Sequence, residues 1–95
     1  MQQFGNTAIL WAARKGYSQI CKILLEKGAD QNKIGVQGSN SLILALKGKF
    51  FECATVILDH PNTNVNQSSR EGHTPISYAC RYGRVSYIAL IYLVN

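Results

Sequence analysis

One sequence segment occurs three times in this chain, and the repetition restricts the fold more than any other feature. The copies are GNTAILWAARKG at residues 5–16, GSNSLILALKGK at 38–49 and GHTPISYACRYG at 72–83, so that successive copies are offset by 33 and 34 residues. An apolar block follows each copy at a similar distance, at 20–25, 53–58 and 87–92. A fixed period of this length predicts a repeat architecture rather than a single globular core.

Each copy has the signals of a short helix followed by a second one. Thr7, Asn40 and Thr74 stand where a helix N-cap is needed, because their side-chain oxygens can accept from free backbone N–H groups. Gly16 and Gly83 are placed to end the first helix, because glycine adopts the left-handed conformation of a helix C-terminus. The predicted unit is a helical hairpin.

The hairpins are predicted to stack on each other. One unit cannot bury both of its flanks, so its neighbours have to supply the missing core. The first helices carry an alanine at equivalent positions, which allows close approach, and an aliphatic residue three positions earlier. These residues are Ala12, Ala45 and Ala79, and Ile9, Leu42 and Ile76.

These segments resemble the ankyrin repeat. The family pattern has a glycine, Thr-Pro-Leu-His, two alanines, a glycine, a leucine-rich second helix and a closing Gly-Ala-Asp-x-Asn, which residues 28–32 match as GADQN. The resemblance implies an all-α ankyrin-repeat solenoid of helix-turn-helix units joined by β-hairpin-like loops. One domain over 1–95 is expected, with repeats at about 2–34, 35–68 and 69–95, the last incomplete.

The chain departs from the family at the histidine of Thr-Pro-Leu-His. Leu10, Ile43 and Ser77 occupy that position. The departure implies that a side-chain hydrogen-bond network usual between ankyrin repeats is missing, and a lower stability is expected.

Composition adds weaker constraints. The 95 residues carry a net charge of +5, which favours acidic partners. Cys21, Cys53 and Cys80 show no CxxC spacing and are predicted to be reduced core residues of a cytoplasmic protein, with the nucleus as an alternative. The longest apolar run is too short to span a bilayer. Because nucleophile-elbow, phosphate-loop and HExxH motifs are absent from the sequence, we predict no enzyme activity, no cofactor and no metal site.

The resemblance places partner binding on the concave side, formed by the first helices and the inter-repeat turns. Arg14, Lys47 and Arg81 fall at one repeat position, where stacked helices would form a ladder of cations. The full set of candidate binding residues is Trp11, Arg14, Lys15, Val36, Gln37, Lys47, Arg70, Tyr78, Arg81 and Tyr82. The sharper hypothesis is recognition of an acidic or phosphorylated peptide on a partner protein. A solvated basic face with Trp11 packed partly on its neighbour is an equal alternative.

Other functions stay open at this point. Nucleic acid could bind the same cations, although the sequence has no dense basic tract, and the segment could be a spacer in a longer array. The apolar positions Ala89, Leu93 and Val94 of the last helix suggest a fragment or, less favoured, self-association. By family resemblance, Asn32 is a candidate for hydroxylation, with Leu24 and Asp30 at the required spacing. The preferred interpretation is that Asn32 bonds the turn backbone.

Overall fold

The computed structural model describes residues 2–83, with the side chains of residues 2–6 and of Val36 left outside the description. Within this part of the chain there are five α-helices, one 3-10 turn and no strand. The helices are α1 (Gln2–Lys15), α2 (Ser18–Glu26), α3 (Ser41–Lys47), α4 (Phe51–Asp59) and α5 (Pro75–Arg81), and the 3-10 turn is Val36–Gly38. The predicted all-α class is confirmed. The apolar last helix predicted around Ala89, Leu93 and Val94 lies outside the described residues.

The helices form two layers of stacked hairpins. Helices α1 and α2 contact each other to form the first hairpin, and α3 and α4 form the second. Across the hairpins, α3 contacts α1 on one side and α5 on the other, while α2 contacts α4. The first helices therefore make one layer and the second helices make the other, as stacking of the repeats predicts.

Small and aliphatic residues fill the space between hairpins. Ala12, Ala45 and Ala79 are all completely buried, which permits the close approach of α1, α3 and α5. Ile9 and Leu42 are completely buried between the helices as well. Burial of a leucine or isoleucine side chain contributes about 1.5–3 kcal/mol, so Ile9 and Leu42 stabilise the stack.

Side-chain caps open α3 and α5. The Oδ1 atom of Asn40 accepts from the Ile43 N–H at 2.9 Å, and the Thr74 hydroxyl accepts from the Ser77 N–H at 3.4 Å. Pro75 follows Thr74 in the first helical turn, where its missing N–H and fixed φ are tolerated. These two predicted caps are confirmed.

The predicted cap at Thr7 is wrong. Helix α1 begins at Gln2, so Thr7 is an exposed residue inside the helix. The position after Thr7 is Ala8, a strong helix former, whereas Pro75 at the equivalent position of α5 cannot follow another helical turn. The segment before α3 is held in a loop by a hydrogen bond from Gly35 N–H to the Ser39 carbonyl. Helix α1 has neither restriction.

The hairpin turns close with the same backbone hydrogen bond in both repeats. Tyr17 N–H donates to the Ala12 carbonyl at 2.9 Å, and Phe50 N–H donates to the Ala45 carbonyl at 2.8 Å. This six-residue closure is a Schellman motif and needs a left-handed residue just before the donor. Gly16 supplies it with φ +77° and Lys49 with φ +63°.

The loops between repeats also share one geometry. Gly35 N–H donates to the Ser39 carbonyl, and Ser69 N–H donates to the His73 carbonyl, both at 2.9 Å. The two loops are tied together by the Arg70 N–H, which donates to the Gln37 carbonyl at 2.7 Å. The loops are hairpin-like without forming strands in residues 2–83, in keeping with the family expectation.

A side-chain network does connect the repeats, although the family histidine is absent. The Gln31 amide donates to the Pro61 carbonyl at 3.0 Å and to the Thr63 hydroxyl at 3.2 Å. The Asn40 amide donates to the Asn64 carbonyl at 3.2 Å. Gln31, Asn40 and Thr63 are buried, so these bonds replace water that the polar groups have lost. This network lies at a different place from the family histidine, and the lower stability expected from the loss of that histidine stays a prediction.

Candidate functional site

A groove lies where α1, the first inter-repeat loop and α3 meet. Its volume is about 640 Å³. The side chains and backbone that line it come from Thr7, Leu10, Trp11, Arg14, Lys33, Ile34, Gly35, Gln37, Leu44, Lys47 and Gly48. This is the face formed by first helices and turns, on which the sequence placed the binding residues. We refer to it as the basic groove.

Apolar side chains form one part of the basic groove. Trp11 is 50% exposed, and its ring stands edge-on to the Tyr17 ring at 5.2 Å between centroids. Ile34 of the loop is also exposed, and Leu44 of α3 is half-buried. An aromatic ring held by a neighbour and left half-open to solvent is the kind of anchor that dominates protein interfaces.

Cations form the other part. Arg14, Lys33 and Lys47 line the groove from three different elements, and no carboxylate is among its lining residues. The Lys47 ammonium donates to Oε1 of Gln37 at 2.9 Å, which holds that lysine at the loop. Gln37 itself is in the left-handed conformation with φ +59°. Three cations with no acid among them create a positive potential in the groove.

Arg81, the third member of the predicted ladder, does not line the groove. Arg81 of α5 is exposed and stands 5.7 Å from the centre of the Tyr78 ring, a cation–π arrangement. The Tyr82 hydroxyl donates to the Lys47 carbonyl at 3.3 Å, and Lys49 lies 5.1 Å from the centre of the Tyr82 ring. Tyr82 is thus a half-buried link between the second and third units, reachable from the surface on one side.

Tyr78 lies in the core rather than on the predicted binding surface. It is one of the candidate binding residues and has the repeat position of the half-exposed Trp11, but its side chain is only 2% exposed. The rings of His73 and Tyr82 lie 5.6 and 6.5 Å from its centroid, and Arg81 covers its face. Its hydroxyl is buried without a hydrogen-bond partner. Tyr78 is a core residue of the third unit and cannot contact a partner directly.

Of the remaining predicted residues, Lys15, Arg70, Arg81 and Tyr82 do not line the groove. Lys15 is exposed at the end of α1, and Arg70 is exposed in the second loop. Val36 belongs to the 3-10 turn, and its side chain lies outside the description. The structure therefore brings Trp11, Arg14, Gln37 and Lys47 together in the groove, and it places the Tyr82 hydroxyl against the Lys47 carbonyl outside the groove.

The candidate binding residues predicted from the sequence do not include Lys33 or Ile34, although both line the groove. Both directly follow the GADQN segment, which ends at Asn32. The only available signal was their place in the turn between two repeats. That place does not by itself indicate that the loop folds back beside α1.

Asn32 lies in the turn network rather than in the groove. Its side-chain amide donates to the Asn62 carbonyl at 2.7 Å, and its Oδ1 accepts from the Asn64 N–H at 2.7 Å. Its own N–H donates to the Asp30 carboxylate at 2.9 Å. The preferred interpretation, that Asn32 bonds the turn backbone, is confirmed, and its side chain bridges two repeats.

Cys21 and Cys53 are buried as predicted, whereas Cys80 is exposed. The positions equivalent to Cys80 are Ala13 and Leu46, which are buried. In those two hairpins the second helix packs on the first, while the second helix predicted for the third unit lies outside the described residues. The described helices include none that is both long enough and apolar enough to cross a bilayer.

Comparison with known sequences fits this architecture. Residues 1–69 match the family described as ankyrin repeats (3 copies). The chain belongs to the ankyrin-repeat family. Its stacked hairpins and hairpin-like loops are therefore ankyrin repeats, and the predicted family is confirmed. Ankyrin repeats generally mediate protein–protein interactions.

Three relatives illustrate the range of proteins that carry similar repeats. The chain is 31% identical over 80 residues to the human transient receptor potential cation channel subfamily A member 1. The matched segment covers 84% of this chain and 7% of that protein. It is 32% identical over 74 residues to the human ankyrin repeat and KH domain-containing protein 1, covering 75% and 3% of the two chains. It is 28% identical over 78 residues to mouse Rabankyrin-5, covering 82% and 7%. The chain thus spans a small fraction of the length of each relative.

Proposed function

We propose that this ankyrin-repeat segment binds an acidic peptide of a partner protein in the basic groove. The observation that carries the proposal is the groove itself: a half-exposed Trp11 and the aliphatic Ile34 next to three cations, with no acid in the lining. An aromatic anchor fills part of the interface with apolar contact, while cations select the sign of the ligand's charge. A phosphorylated side chain would suit Arg14 by bidentate hydrogen bonding.

The proposal assigns no catalytic role and no cofactor to the segment. It also places the protein in the cytoplasm, with the nucleus as the alternative, because a reducing compartment suits the three free cysteines. Hydroxylation of Asn32 is not part of the proposal, because both ends of its amide are engaged by the next turn.

The test starts from a random-peptide display library selected against the full chain. The enriched peptides are expected to carry Asp or Glu beside an aromatic or aliphatic residue. Their affinity is then measured for Arg14→Glu/Lys47→Glu and for a matched control, Lys22→Glu/Lys27→Glu, which changes two exposed lysines of the second-helix layer by the same charge. The groove variant is expected to lose affinity about tenfold or more, and the control to lose only a small part of this.

Equal losses in both variants would show that net charge rather than the groove decides binding, and would overturn the proposal. Nucleic acid is the competing ligand for the same cations. A short single-stranded RNA that binds with a salt slope of roughly 0.7 per phosphate contacted, and competes with the peptides, would favour it. No enriched peptide and no RNA binding would favour a spacer within a longer array.

A further inference from the structure

A pair of thiols lies between the two complete hairpins, away from the basic groove. Cys21 is on α2 and Cys53 is on α4, and both side chains are completely buried. Their Sγ atoms are 3.1 Å apart, although the residues are 32 positions apart in the sequence. Both cysteines are free. Two sulfur atoms held face to face across a repeat interface are the arrangement from which a disulfide can form without rearranging the helices.

We propose that Cys21 and Cys53 are a redox site, which a peroxide converts into a disulfide that links the first and second repeats. The bond needs the sulfur atoms to approach from 3.1 Å to about 2.05 Å, so the two helices have to move by no more than about 1 Å. The site is independent of the peptide-binding proposal.

The two thiols are chemically unequal. A hydrogen bond from Cys53 lowers the pKa of Cys21, although burial opposes that effect. The same shared proton raises the pKa of Cys53, and burial and the nearby Glu52 raise it further. The directions of these pKa shifts favour Cys21 as the thiol that ionises and attacks and Cys53 as the partner that completes the bond.

The reaction balances with one peroxide molecule. The Cys21 thiolate attacks one oxygen of hydrogen peroxide, the O–O bond breaks, and the products are a sulfenic acid on Cys21 and hydroxide. The Cys53 sulfur then attacks the sulfenic sulfur and displaces its oxygen as water. The thiol protons neutralise the two oxygens, so two thiols lose two electrons and the peroxide becomes two waters.

A second groove lies about one helical turn from the pair. This groove, of about 290 Å³, runs between α2 and α4 and is lined in part by Leu25 and Val56. Leu25 is four residues from Cys21 and Val56 is three residues from Cys53, which is one helical turn, or about 5 Å along each helix. The proposal requires this groove to open far enough for hydrogen peroxide to reach the two sulfur atoms.

The experiment uses the full chain carrying Cys80→Ser, which removes the exposed thiol and leaves the pair unchanged. After treatment with hydrogen peroxide, the chain should stay monomeric and its mass should fall by two hydrogen atoms. A thiol titration in denaturant should then detect neither cysteine. A non-reducing digest should contain the Cys21 peptide joined to the Cys53 peptide, and dithiothreitol should restore both thiols. The melting temperature of the oxidised chain should rise by about 10 °C, since the cross-link restricts the unfolded chain.

A second variant separates the two sulfur roles. In Cys53→Ala/Cys80→Ser, with its helical content checked by circular dichroism, Cys21 has no partner and should accumulate as a sulfenic acid that dimedone labels. The proposal is overturned if peroxide adds oxygen atoms without a Cys21–Cys53 link, if the links form only between chains, or if both thiols survive in the folded chain at a peroxide concentration that oxidises Cys80 of the unsubstituted chain.

Discussion

The first and second hairpins have the same turn between their helices but build it from different residues. Both close the turn between their helices with a six-residue hydrogen bond, yet Gly16 takes the left-handed position in one and Lys49 takes it in the other. The polar residue at the equivalent position has a different role in each hairpin, because Asn40 caps α3 while Thr7 lies inside α1. The hairpin geometry is therefore the same despite different turn and cap residues, because the buried layers and the backbone hydrogen bonds determine it. What differs is how much each residue contributes.

The largest expected difference concerns the two cap positions. Asn40→Ala removes both the cap to Ile43 and the bond to the Asn64 carbonyl, at a site that is completely buried. We expect the free energy of unfolding to fall by about 2–3 kcal/mol, measured by urea denaturation followed by circular dichroism. Thr7→Ala is the matched control and should change it by no more than about 0.5 kcal/mol. Similar losses at both positions would show that Thr7 caps a helix after all.

The turn glycine is expected to give the next largest effect. A Cβ at Gly16 would overlap the ring of Phe50, and the residue has φ +77°. Gly16→Ala should therefore cost about 2 kcal/mol from strain and steric overlap together. Gly72→Ala measures the strain alone, because Gly72 has φ +87° and no atom near its Cβ position, and it should cost about 1 kcal/mol. Equal costs would mean that Phe50 moves away freely.

Lys49 should give an effect of the opposite sign. Its φ of +63° is unfavourable for a residue with a Cβ, and Lys49→Gly should raise the free energy of unfolding by about 1 kcal/mol. Lys49→Ala keeps the strain but removes the contact with the Tyr82 ring, so it should not stabilise the chain. If the alanine variant gains as much as the glycine variant, the left-handed backbone is not the source of the cost.

The success of the sequence prediction followed periodicity. The 33- and 34-residue offsets located the helices, the buried alanines and the caps at Asn40 and Thr74, because those positions recur with the backbone they serve. The loop residues of the groove do not recur in this way, and Lys33 was missed. The predicted N-cap at Thr7 was wrong because helix α1 extends to Gln2, beyond the repeated segment. Alignment gives the position of a residue in a unit, whereas exposure depends on its neighbours.

Tyr78 shows that exposure depends on the neighbouring residues rather than on the repeat position. Removal of its hydroxyl is expected to give the smallest effect. Trp11 at the equivalent position is half-exposed, whereas Tyr78 is enclosed by His73, Tyr82 and Arg81. Because the Tyr78 hydroxyl is buried without a partner, removing it abolishes a desolvation cost and no hydrogen bond. Tyr78→Phe should therefore leave the free energy of unfolding unchanged or raise it by up to about 1 kcal/mol in the same urea titration. Tyr82→Phe removes a hydroxyl that donates to the Lys47 carbonyl and should lower the stability slightly instead. A clear loss in Tyr78→Phe would mean that its hydroxyl has a partner in solution, most simply a buried water.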